Sequence, residues 1–78
     1  MPTVMRIGPY RFFFYSNEGN EPPHIHVESG GKLAKFWLHP VSLAENIGYN
    51  QHEINKIAEL VQQHQKKLAK AWRAHFGH

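Results

Sequence analysis

Apolar and polar positions alternate with a period of two through the first half of the chain, then switch to helical spacing over the last third. Residues 3–7 and 10–16 are rich in β-branched and aromatic side chains and read as two strands. Gly8-Pro9 separates them. Glycine reaches positive φ and proline is held near about −65°, a pair that suits a two-residue type II′ turn. Residues 17–23 form a polar loop, and Pro22-Pro23 excludes helix there. His24-Ile25-His26-Val27-Glu28 alternates as a third strand, Ser29-Gly30-Gly31 turns, and residues 32–38 make the fourth. Gly30-Gly31 suits a type I′ turn. Val41, Leu43, Glu45 and Ile47 alternate as a short fifth strand, the alternative being a helical turn opened by Pro40.

Residues 50–76 read as one long C-terminal helix. Asn50 caps its start, with Glu53 at the reciprocal capping-box position. Ile54, Ile57, Ala58, Val61, Leu68, Trp72 and Phe76 fall on one apolar stripe, and Gly77 closes the helix. About 26 helical residues would span ~39 Å. That exceeds the width of a small sheet and would send the helix end outward, toward a second copy. The predicted fold is therefore α+β: one domain over residues 1–78, with an antiparallel sheet of four or five strands (residues 3–47) packed on the helix.

The two glycine turns fix strand register, and directly paired residues share a face. Gly8-Pro9 pairs Ile7 with Tyr10, Arg6 with Arg11, Met5 with Phe12 and Val4 with Phe13. Gly30-Gly31 pairs His24 with Trp37, Ile25 with Phe36, His26 with Lys35, Val27 with Ala34 and Glu28 with Leu33. The pairs Ile25–Phe36 and Val27–Ala34 belong against the helix, with Met5, Ile7, Tyr10, Phe12 and Phe14 on one side of the first hairpin and Val4 on the other with Phe13. The opposite face then collects Arg6, Arg11, Phe13, Tyr15, His24, His26, Glu28, Lys35 and Trp37. A slip of one residue in either hairpin would exchange the faces. Arg6 and Arg11 stand opposite each other as like charges, an arrangement that favours an anion between them.

Composition narrows the classes. The chain has no cysteine, which excludes disulfides and thiolate metal sites. Its start lacks a basic segment followed by a long apolar one, and the run Phe12 to Tyr15 is too short to span a membrane. A cytoplasmic protein with no membrane partner is the expectation. The formal charge is +3 with histidine neutral, carried by the C-terminal part. There Lys56, Lys66, Lys67, Lys70 and Arg73 outnumber Glu53 and Glu59, which permits an anionic partner. At 78 residues the core is small, and a second copy or partner chain would supply further burial.

Three chemistries use the same polar face. His24-x-His26 sets two imidazoles on one side of a strand ~7 Å apart. With Glu28, and with Glu21 or His39 in reach, they form a candidate zinc-type site. As a base and an acid near neutral pH, His24 and His26 suit RNA cleavage. Arg6, Arg11 and Lys35 would hold phosphate, and Phe13, Tyr15 and Trp37 would stack on bases. Without chemistry, the same aromatic and arginine residues suit a protein interface.

Several segments carry a family resemblance: Met1 to Ser16, Glu21-Pro22-Pro23-His24-Ile25-His26-Val27, Ala34-Lys35-Phe36-Trp37-Leu38, and the final helix with Trp72 and Phe76. In this order they resemble a family of short bacterial proteins known as domain of unknown function 4160. The resemblance implies no assigned activity and no catalytic residues. It implies a gene neighbour, another small protein of unknown function (domain family 2442), in an arrangement like a toxin–antitoxin pair. The resulting expectation is an interaction protein of such a two-gene module, as a homodimer or with a small partner protein, and with no required cofactor. The alternatives are a small ribonuclease-type toxin using His24 and His26, or a metal-binding protein using His24, His26 and Glu28.

Overall fold

The computed structural model describes residues 3–15 and 20–77. The first part of the polar loop expected at 17–23 lies outside the described residues. Five strands form one antiparallel sheet in chain order: β1 (Thr3–Ile7), β2 (Tyr10–Phe13), β3 (His24–Ser29), β4 (Lys32–Leu38) and β5 (Val41–Ile47). The fifth strand, not the helical turn, follows Pro40. Gly8 has φ +54°, and Gly30 and Gly31 have +54° and +79°, as the two hairpin turns require.

The pairing of β3 with β4 runs from His24 opposite Trp37 to Ser29 opposite Lys32, matching the register read from Gly30-Gly31. In the first hairpin Met5, Arg6 and Ile7 pair as expected with Phe12, Arg11 and Tyr10. Phe13 pairs with Thr3 and not Val4, because an irregularity between Thr3 and Met5 takes up one residue. A bulge of this kind puts two consecutive residues on one side. Val4 therefore packs against the core beside Met5, away from the face predicted for it.

The expected single helix is two: α1 (Gln51–Gln63) and α2 (Gln65–Phe76), meeting at His64 with φ −108° and ψ 15°. A ~39 Å rod would exceed the longest dimension of the molecule, 33 Å. The break falls where the apolar stripe is interrupted by His64 and Gln65. The Gln65 amide donates to the Leu38 carbonyl at the end of β4, and His64 Nδ1 lies 2.9 Å from the Leu60 carbonyl. α1 packs on β4 and β5, α2 on β3 and β4. Phe12, Ile25, Val27, Phe36, Leu38, Ile57, Val61, Leu68 and Trp72 fill the space between. Gly77 ends α2 in the left-handed region at φ +83°.

Asn50 Oδ1 accepts from the Glu53 amide at 2.8 Å, so the predicted cap forms. The Glu53 carboxylate does not complete the reciprocal box. It accepts from Lys32 Nζ at 2.9 Å and from Tyr10 Oη at 3.4 Å, tying α1 to β4 and β2. The Lys32 hydrogen bond holds the Glu53 carboxyl below its ordinary range and raises Lys32. Burial first, and then the Glu53 charge, push the Tyr10 phenol up. Glu53 is depressed, so its stabilisation is present above the unfolded carboxyl pKa and lost as pH falls through the folded value. Lys32 and Tyr10 are raised, so theirs is full below the unfolded values and lost as pH rises through the folded ones. Urea midpoints measured across pH should fall at both extremes, and Glu53→Gln should flatten the acid limb. An unchanged acid limb in Glu53→Gln would remove this account.

Tyr49 is buried, although it stands in the connection before the helix. Asn46 brackets it, accepting from its amide at 3.1 Å and donating to its carbonyl at 2.9 Å. Its hydroxyl lies 2.9 Å from Ser29 Oγ.

Candidate functional site

The outer face is built from β2, β3 and β4. Phe13, His26 and Lys35 pair across three strands, as do Arg11, Glu28 and Leu33. Arg11 donates from Nη1 to Glu28 at 2.6 Å and from Nε to Thr3 Oγ1 at 2.9 Å, and its guanidinium lies 4.4 Å from the Phe13 ring centre. Lys35 donates to Glu21 at 2.9 Å and stands 4.6 Å from the Trp37 ring centre. Phe13 stacks on His26 at 5.4 Å, and Tyr15 meets the same imidazole edge-on at 4.7 Å. The predicted residues of β2 to β4 are thus brought together, with Arg6 beyond them on β1, opposite Arg11.

The two imidazoles are not open to solvent. His24 is 0% exposed and His26 is 4% exposed. The cause lies in strand length. β2 stops at Phe13, opposite His26, so the first two residues of β3 have no β2 neighbour. Trp72 of α2 packs there, 4.7 Å from the His24 ring and 5.3 Å from Phe14. Trp37 and His26 close on His24 edge-on, at 5.6 and 5.2 Å. His24 therefore touches the helix layer, contrary to the expectation of an uncovered strand face.

This placement limits the chemistry. His24 Nδ1 lies 2.9 Å from the Pro22 carbonyl, which can only accept, so Nδ1 carries the hydrogen. In the neutral ring Nε2 is the nitrogen left to take a proton, and it is buried. A general base must come within hydrogen-bond reach of its substrate. Glu28 is held by Arg11, and among the described residues no three His, Asp or Glu side chains gather to hold an ion.

The exposed chemistry lies at the hairpin end of this face. Arg6, Arg11, Thr3, Glu28 and the Ser29–Gly31 turn surround an open depression of about 590 Å³. Arg11 is compensated by Glu28, whereas Arg6 is exposed and makes no ion pair with any described residue.

Sequence reasoning missed Tyr49 and the role of Trp72. Tyr49 precedes the Asn50 cap and Ile54 lies at the fourth helical position, the spacing of a hydrophobic staple. That signal would have found it. No local signal points Trp72 toward His24, because the gap it fills depends on where β2 ends.

An antiparallel sheet with one polar-aromatic face and a broken helix on the other defines a small α+β domain with sealed histidines. The chain belongs to the family described as Domain of unknown function (DUF4160), whose model matches residues 10–73. Comparison with curated proteins and with solved structures gave no match. No helix among the described residues is long and apolar enough to cross a membrane.

Proposed function

We propose that this protein is a non-catalytic binding protein of a bacterial two-gene module of toxin–antitoxin type. In this reading it works in the cytoplasm and docks an acidic group of its partner protein in the Arg6 depression. The observation that carries the proposal is Arg6, without an ion pair among the described residues and beside an open depression, while both histidines are sealed. Arginine suits such a role because its planar fork binds a carboxylate through two hydrogen bonds. The like-charged pair Arg6–Arg11 becomes favourable once an anion sits beside it. Burial of His24 and His26 counts against the ribonuclease alternative.

The test mixes the purified chain with the protein encoded by the neighbouring gene and follows light scattering and titration calorimetry. A stable complex is expected, and Arg6→Glu should weaken it about tenfold and reduce its salt dependence. Absence of a complex would sink the proposal. So would RNA cleavage by the purified chain that disappears in a His24→Ala variant still folded by circular dichroism.

A further inference from the structure

Both edges of the sheet are open among the described residues, but they differ in chemistry. β5 carries exposed Leu43 and Ile47 on opposite faces, since Leu43 pairs with Phe36 and Ile47 with Leu33, and exposed Glu45 lies between them. Glu45 would repel an acidic strand at this edge, whereas Arg6 on β1 would attract one. β1 has no neighbour but β2. On the outer side of β1 lies the Arg6 depression. On the inner side a groove of about 580 Å³ separates β1 from α2. Its lining includes Val4, Phe14, Ala71 and Ala74, together with exposed Lys67 and Lys70. Thr3 borders both hollows. The bulge that turns Val4 inward is what gives the groove its apolar wall on the strand side.

We infer that β1 accepts an extended segment of a partner protein as a sixth strand, and that this segment alternates acidic and apolar residues. The inference deepens the binding-protein reading above and rests on it. A strand added to an edge gains main-chain hydrogen bonds, and its side chains point alternately to the two faces. One set would meet Arg6 on the outer side, which calls for carboxylates. The other would enter the groove, where Val4, Phe14 and Ala71 call for apolar side chains. Lys67 and Lys70 attract the flanking acids. No acidic residue among the described ones lines the groove, so a basic segment would meet the charges of Lys67 and Lys70 as repulsion.

The probe is a fluorescein-labelled ten-residue peptide alternating glutamate and valine, with a lysine–valine peptide as control. It is titrated against the full chain by anisotropy, and backbone amide exchange is followed by NMR. The acidic peptide should bind at least about tenfold more tightly than the basic one. Amides of β1 should slow by about tenfold or more on saturation, while those of β5 stay unchanged. The exposed double variant Lys67→Glu/Lys70→Glu should weaken binding about tenfold, and Lys56→Glu, on α1, should not. Slowing confined to β5, or binding with β1 amides unaltered, would overturn strand addition and leave the Arg6 reading standing. Protection of β1 by the peptide, without any complex with the neighbouring gene product, would overturn the two-gene reading and leave strand addition standing.

Discussion

Replacing Trp72 by alanine is expected to lower stability by about 3–5 kcal/mol, the range for truncating a buried aromatic ring. A chain of 78 residues has about 4–12 kcal/mol in total, so the variant forfeits a large share of it and unfolds at the lower end of that range. The size of the effect follows from position. Trp72 is 0% exposed and touches Phe14, Phe76 and His24, joining α2, the end of β2 and the start of β3. Its removal leaves a hole at the place where the sheet has no strand. Trp72→Phe should lose much less, about 1–2 kcal/mol. It keeps a ring in the gap and removes the indole N–H, which is buried with no hydrogen-bond partner among the described residues. Urea unfolding followed by circular dichroism measures both. Equal midpoints for wild type and Trp72→Ala would show that the ring does not hold these elements together.

The second large effect concerns His24. His24→Ala is expected to cost about 2–4 kcal/mol, as for a buried ring in a core. It loses contacts with Trp37, His26 and Trp72 together with the hydrogen bond to Pro22. His52→Ala, at an exposed position on α1, should stay within about 0.5 kcal/mol of wild type. A surface histidine kept for catalysis would give the opposite pattern, with stability preserved and activity lost. If His24→Ala unfolds at the wild-type midpoint, the sealed-histidine account fails.

Much of the fold was legible because glycine turns pin register. Gly30-Gly31 set every pair of the β3–β4 hairpin, so the side of the sheet holding His24, His26, Lys35 and Trp37 followed from the chain alone. Gly8-Pro9 did the same for Arg6 and Arg11. The Asn50 cap and the Gly77 stop were local chemistry and were readable for that reason. The bulge at Val4 was not, because nothing in Thr3-Val4-Met5 marks an extra residue. Exposure of the histidines was not readable either. Alternation tells which face a ring is on, but cover depends on neighbours far along the chain, such as Trp72. The helix break left a trace, since His64 and Gln65 are polar where the stripe calls for apolar residues. A polar pair on a stripe also fits an uninterrupted helix, until the distance available to it is known.

The interruption at His64 has a mechanical consequence. α1 is fastened to β4 and β5 by its own apolar contacts and by the Glu53–Lys32 bridge, while α2 rests on β3 and β4. The covering layer is thus jointed, and two short rods lie over the sheet within the 33 Å span that one straight rod would overrun. The same joint brings Trp72 over the start of β3, so the seal on His24 depends on where α2 is set down and not on α1.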